Sequence, residues 1–141
     1  MVSKIEFSNL LEIEVLEKAC FSSPYSLNVL ESAYKSSGFY GLAYKDERIL
    51  GYLLINRVLD EANIDKIAVT PEFRNRKIAS TLIEFAESEL KSDGVKSIYL
   101  EVSVKNDKAI SLYKKHGYIK VYVRKNYYGE NDDALIFKKD L

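Results

Sequence analysis

The sequence predicts an α/β protein, a mixed β-sheet carrying helices on both faces. Three observations lead there. Apolar residues alternate with a strand period in seven segments and recur with a helical period in four. Most strands follow one another directly, as hairpin strands do. Two helices stand alone between strands, as crossovers do, and crossovers lay helices on sheet faces.

Each element has its own signal. Val2 to Phe7 alternates and reads as a short strand. Leu10 to Ala19 is helical, with Leu11, Val15 and Ala19 on one face. Ser22-Ser23-Pro24 breaks that helix, and Ser26 can cap a second one running to about Tyr34. Phe39 to Tyr44 and Ile49 to Arg57 are strands around the turn Lys45-Asp46-Glu47-Arg48. Ile64 to Val69 is another strand; Pro71 follows, then a polar run from Glu72 to Lys77. The clearest helix comes next. Ile78, Leu82, Phe85, Ala86 and Leu90 recur at helical spacing, and Gly94 stands just past the end. Ile98 to Val104 alternates strictly, with Ile98, Leu100, Val102 and Val104 on one face and Tyr99, Glu101 and Ser103 on the other. Asn106 caps a helix whose buried stripe is Ala109, Ile110, Leu112 and Tyr113, and Gly117 ends it. Tyr118 to Arg124 and Ala134 to Phe137 complete the order β-α-α-β-β-β-α-β-α-β-β.

Composition narrows the function classes. One domain over residues 1–141 is expected, and a chain of this size buries roughly 68–70% of the surface its unfolded form exposes. The 21 Lys+Arg balance 21 Asp+Glu, which gives no case for a nucleic-acid partner. The single cysteine, Cys20, rules out a disulfide framework, and the single histidine, His116, makes a histidine-rich metal site a poor fit. No metal is expected. The first residues lack the apolar core of a signal peptide, and no apolar run approaches the ~20 residues of a membrane helix. A cytoplasmic protein without a membrane partner is expected.

Three places carry candidate chemistry. At Val69 to Ala79 a strand ends, a polar loop turns and a long helix begins. A helix start offers unpaired N–H groups and the positive end of a dipole, so it suits an anion, and Arg74, Arg76 and Lys77 add charge. The same residues also fit a solvated basic loop. Glu101 is a carboxylate in mid-strand, either on a wet face or poised in a cleft to take a proton. Tyr113 fills the core with its ring and, with its hydroxyl at water, would suit a proton donor. Cys20 reads as a core residue and His116 as a dipole contact at a helix end.

Together these segments resemble a known family. Phe21-Ser22-Ser23-Pro24-Tyr25-Ser26, Val58 to Ala62, Ile67-Ala68-Val69, Arg74 to Ala79, Leu100-Glu101-Val102, Asn106, Leu112-Tyr113 and Asn126-Tyr127-Tyr128 occur in that order. The chain resembles the GNAT superfamily of acetyl-CoA-dependent N-acetyltransferases, and within it the RimI group and archaeal protein N-terminal acetyltransferases. The resemblance implies a GNAT fold of about seven strands and four helices, with a splayed strand pair holding acetyl-CoA. It implies that the backbone of Ile67, Ala68 and Val69 binds the acetyl and pantetheine end. The N–H groups of Arg74, Asn75, Arg76, Lys77, Ile78 and Ala79 would cradle the pyrophosphate, and Asn106 would hold the pantetheine arm. Glu101 would be the general base and Tyr113 the general acid. Tyr25, Tyr127 and Tyr128 would line the peptide-side groove.

The implied activity is acetyl transfer to the α-amino group of protein or peptide N-termini, a ribosomal protein among them. A lysine side chain or a small-molecule amine is the alternative acceptor, and a non-catalytic acyl-CoA sensor a further one. An auxiliary subunit or a homodimer fits the resemblance. There is one departure: Lys77 stands where the family's loop has its first glycine. The expectation is an ordinary negative φ at Lys77, as in the first turn of a helix, with its amide facing the cofactor and its stem at the surface.

Overall fold

A computed structural model describes residues 1–141. The strands are β1 (Val2–Lys4), β2 (Phe39–Lys45), β3 (Ile49–Val58), β4 (Glu61–Val69), β5 (Ser97–Ser103), β6 (Ile119–Gly129) and β7 (Asp132–Asp140). The helices are α1 (Leu10–Cys20), α2 (Leu27–Lys35), α3 (Ile78–Ser92) and α4 (Asp107–Lys115). This is the order read from the sequence, with single 3₁₀ turns added at Phe7–Asn9 and Pro71–Phe73. The first turn shortens β1: the Asn9 side chain accepts the Glu6 N–H at 2.8 Å and bends the chain out of the strand. The last two strands run longer than their apolar alternation, because β6 and β7 continue as a hairpin to Gly129 and Asp132.

One seven-stranded sheet has the order β1-β2-β3-β4-β5-β7-β6. Every neighbouring pair is antiparallel except β4 and β5, which are parallel. Those two pair only from Glu61 to Ile64 against Ser97 to Leu100. Beyond that point they separate, as the splayed pair requires.

Two cores cover the two sheet faces. On one, Leu53, Ile55, Leu100 and Phe137 pack under Leu82, Ala86 and Leu90 of α3 and Tyr113 of α4. On the other, Tyr52, Leu54 and Ala68 pack under Leu10, Ile13 and Leu16 of α1 and Leu30 of α2. The buried side of α1 is therefore not the Leu11–Val15–Ala19 stripe. Leu11 and Val15 are 65% and 66% exposed, because the helix turns Ile13, Leu16 and Glu17 inward instead. Phe85 of α3 is also exposed, and Ile83 takes its place inside.

A bulge in β4 decides which of its residues face which core. Leu54 pairs with Lys66 and Ile55 with Ile64, so Asp65 is the extra residue. Ala62 and Ile64 face the α3 core, and after the bulge Ile67 and Val69 face it too. Lys66 and Ala68 are thereby sent to the α1 side. Gly51 opposite Val69 lets this end of the sheet meet α3. A Cβ there would stand 3.0 Å from the Ala68 carbonyl oxygen and 3.1 Å from Ile78 Cγ2.

Candidate active site

The gap between β4 and β5 opens into a cleft of about 560 Å³. The Thr70 N–H bonds the Leu50 carbonyl at 2.8 Å. Backbone direction alternates along a strand, so the N–H groups of Ile67 and Val69 point away from β3, into the gap. The Val69 carbonyl also leaves the ladder; it accepts from Arg74 Nε at 3.0 Å and from the Cys20 thiol at 3.7 Å.

The loop into α3 forms the next wall. No backbone N–H from Asn75 to Ser80 has an acceptor in the protein; the first bonded amide is Thr81, to the Lys77 carbonyl at 3.0 Å. Asn75 and Lys77 both lie in the left-handed region, with φ of 64° and 63°. The negative φ expected at Lys77 is therefore overturned. The chain must swing from the Pro71–Phe73 turn into the axis of α3 within four residues. Left-handed residues make that swing and turn successive N–H groups toward one concavity. Asparagine adopts this conformation readily, whereas lysine does not, at a cost of about 1–3 kcal/mol.

Helix α4 closes the cleft. Asn106 accepts the Ala109 N–H at 3.2 Å as the cap of α4, and Lys108, Ala109, Leu112 and Lys115 line the wall beyond it. His116 at the end of α4 lies 2.9 Å from Ser80 Oγ, so it ties the two helices together beside the cleft. All the residues expected at the cofactor line this cleft except Arg76, whose guanidinium lies over the Phe73 ring. Arg74, Lys77, Lys108 and Lys115 are its basic residues, and no carboxylate lines it. The free amides of Asn75, Lys77, Ile78, Ala79 and Ser80, four cations and an apolar floor of Ile67, Val69 and Leu112 fit a long polyanion with an apolar arm.

The proposed acid and base lie outside this cleft. Glu101 projects from the opposite face of β5 to Leu100 and Val102, a third exposed, with its carboxylate 3.6 Å from Arg124 Nη1. It lines a separate groove of about 320 Å³ with Asn56, Glu61, Asn63, Tyr99 and Arg124. Tyr113 is only 5% exposed. Its ring packs edge-on to Tyr118, with centroids 5.8 Å apart. No protein group bonds its hydroxyl, and burial pushes its pKa up to about 12. Its ring is buried, and its hydroxyl, unlike that of Tyr118, is not closed off from water. Tyr128 links the two groups: burial and then the negative charge of Glu101 raise its pKa, and its own charge raises that of Tyr113.

Tyr127 and Tyr128 form an edge-on pair with centroids 5.2 Å apart at the end of β6. Tyr25 lies on the far side of the gap, half-buried against α1, and stacks with neither. Besides the expected residues, the cleft is lined by Phe73, Ser80, Lys108, Ala109, Leu112 and Lys115, and on its α1 side by two residues the sequence reading did not place there. Cys20 is not confined to a core; with Phe21 it forms the α1 edge of the cleft. Nothing in a lone cysteine before a loop signals that placement, which comes from the thiol's contact with Val69.

Residues 8–118 match the model of the Acetyltransferase (GNAT) family. The chain belongs to the GNAT family of acetyltransferases. A Bacillus subtilis relative, provisionally named ribosomal protein bS18-alanine N-acetyltransferase, is 34% identical over 141 residues, covering 96% of this chain and 91% of its own length. A Saccharolobus solfataricus N-alpha-acetyltransferase is 34% identical over 119 residues, 72% of this chain and 71% of that one. The crystal structure of the ribosomal-protein-S18-alanine N-acetyltransferase from Escherichia coli superposes with a TM-score of 0.92 at 26% identity, covering 99% of this chain and 92% of that one. As a GNAT member the chain is an acetyl-CoA-dependent N-acetyltransferase. No helix is long and apolar enough to cross a membrane.

Proposed function

We propose that the chain transfers the acetyl group of acetyl-CoA to the α-amino group of protein or peptide N-termini. The observation that carries the donor side is the run of unpaired amides from Asn75 to Ser80 beside four basic residues. These amides would hold the pyrophosphate. Ile67 and Val69 would bond the pantetheine and acetyl end through the N–H groups that face the gap, and Asn106 would steady the arm. The names carried by relatives that align along most of this chain support an N-terminal acceptor. The same likeness supports a ribosomal protein among the acceptors, and a cytoplasmic location is proposed with it.

The chemistry needs a neutral amine, since a protonated one has no lone pair to attack a thioester. Glu101 would take that proton, directly or through one water in its groove, a step contributing typically about 10²–10⁴-fold. The Val69 N–H would stabilise the charge that develops on the acetyl oxygen; losing one such donor typically costs about 3 kcal/mol. Tyr113, kept protonated by burial, would donate to the departing sulfur. Tyr25 on one side, with Tyr127 and Tyr128 on the other, would flank the incoming peptide.

The test is mass spectrometry of acetyl transfer onto a peptide library varied at its first two residues. Each peptide is also presented with a blocked N-terminus and a free internal lysine. Acetylation confined to free N-termini supports the proposal. Acetylation of the blocked set instead would move the acceptor to the lysine side chain.

A further inference from the structure

The connection from α1 to α2, Phe21 to Ser26, carries Phe21, at the edge of the cleft, and Tyr25, proposed above to flank the acceptor. Most of its anchors belong to α1. Glu17, fully buried, accepts the Tyr25 N–H at 2.8 Å, and Glu14 accepts the Leu27 N–H at 2.6 Å. These bonds hold the connection to its own helix. They do not set its distance from β4, the strand that carries Ile67 and Val69.

Lys66 spans that distance. The Asp65 bulge sends its side chain to the α1 face, where only 16% of it stays exposed. Its ammonium stands 3.2 Å from Glu17 Oε1, 3.8 Å from the centre of the Phe21 ring and 4.3 Å from that of Tyr25. Glu17 in turn accepts the Tyr52 hydroxyl from β3 with its other oxygen. A carboxylate and two ring faces thus surround the Lys66 ammonium. A buried ion pair loses to desolvation much of what its attraction gives, so fold stability is a poor reason for placing one here. What the pair does fix is where the Phe21 and Tyr25 rings stand relative to the gap.

We infer that Lys66 is a positioning residue, clamping Phe21 at the cleft edge and Tyr25 on the proposed acceptor side to the strand that would hold the acetyl group. The inference rests on the proposed N-terminal acceptor only for its kinetic consequence. Cys20, the chain's one thiol and the neighbour of Phe21, supplies a readout that needs no acceptor.

The experiment uses the double variant Glu17→Gln with Lys66→Met, which removes both charges and leaves neither partner unpaired. Lys66→Arg is the conservative control, and Glu17→Gln with Lys66→Leu, which also removes both charges, replaces the double variant if that melts early. Cys20 is labelled with Ellman's reagent, with and without acetyl-CoA, whose sulfur is masked as a thioester and does not react with the reagent. The double variant should label about fivefold faster, as expected for a locally loosened segment, with an unchanged Tm. Acetyl-CoA should protect it, and Lys66→Arg should label like wild type. With peptide acceptor, KM should rise about tenfold, equivalent to about 1.4 kcal/mol, while kcat and CoA affinity hold. Unchanged labelling in the double variant, or Lys66→Arg behaving like it, overturns the clamp. Faster labelling with unchanged acceptor KM overturns its link to the acceptor. Wild type that acetylates no N-terminus sinks the functional proposal alone, because labelling still decides the clamp.

Discussion

The Arg124 guanidinium on β6 reaches across β7 to stand 3.6 Å from the Glu101 carboxylate on β5. Both groups are well exposed, so the contact adds only about 0–1 kcal/mol to stability. Its effect is to hold the carboxylate over the groove rather than let it swing toward bulk water.

Glu101→Gln should therefore keep the fold and acetyl-CoA affinity but lower kcat by about 10²-fold or more, because the amide cannot accept the proton. Arg124→Met should leave Tm nearly unchanged and lower kcat by a smaller factor. Calorimetry and a pH–rate profile of each variant check both statements. Wild-type turnover across pH in Glu101→Gln would remove Glu101 from the base role.

Tyr113→Phe deletes a hydroxyl that has no protein partner and is not closed off from water, so Tm should not fall. Turnover per folded molecule should drop by about 10²-fold if the phenol donates the proton. A lower Tm with intact turnover would make Tyr113 a packing residue only.

The same hydroxyl predicts an alkaline limit. Its folded pKa of about 12 lies above the ordinary 10.0, so the folded state keeps a proton that the unfolded state gives up. Stability from this group is complete below about pH 10 and declines as pH rises toward 12, by about 2–3 kcal/mol in all. Burial raises Tyr40, Tyr52 and Tyr118 in the same direction. Urea melts between pH 8 and pH 11 should show the decline, and Tyr113→Phe should flatten part of it.

Lys77→Gly should raise stability by about 1 kcal/mol, because glycine takes a φ of 63° without the clash that lysine meets. Acetyl-CoA affinity should stay within about tenfold, since one exposed charge near a phosphate is partly screened. A stability loss in the variant would show that the lysine stem packs in a way that offsets its backbone cost.

The amides from Asn75 to Ser80 predict which parts of the donor bind there. Dephospho-CoA, which keeps the pyrophosphate, should compete with acetyl-CoA, and pantetheine, which lacks it, should compete far more weakly. Titration calorimetry of the three ligands decides this. Equal affinities would place the anion site elsewhere.

Much of the fold was legible because apolar period reports which side of an element is buried. The seven strands and four helices follow it, as does Glu101 on the face opposite Leu100 and Val102. The period failed where two faces of a helix were both apolar. On α1, Leu11 and Val15 form as regular a stripe as Ile13 and Leu16, and the buried Glu17 argued against the correct one. Lys66 was hidden for a different reason. An unbroken alternation assigns it no ion pair, and only the Asp65 bulge turns it toward α1. The loop at Lys77 was readable in its free amides but not in its φ, which the path of the chain imposes against the residue's own preference.

The four residue pairs that join β4 to β5 are also the only ladder between two blocks of sheet, one ending at β4 and the other starting at β5. A molecule seated in the cleft touches β4 at the end of one block and α4, the helix that follows β5 of the other. It should therefore act as a removable seam. Deuterium uptake at Ile67 and Val69 would slow when CoA is present, and would slow least in the outer strands β1 and β6.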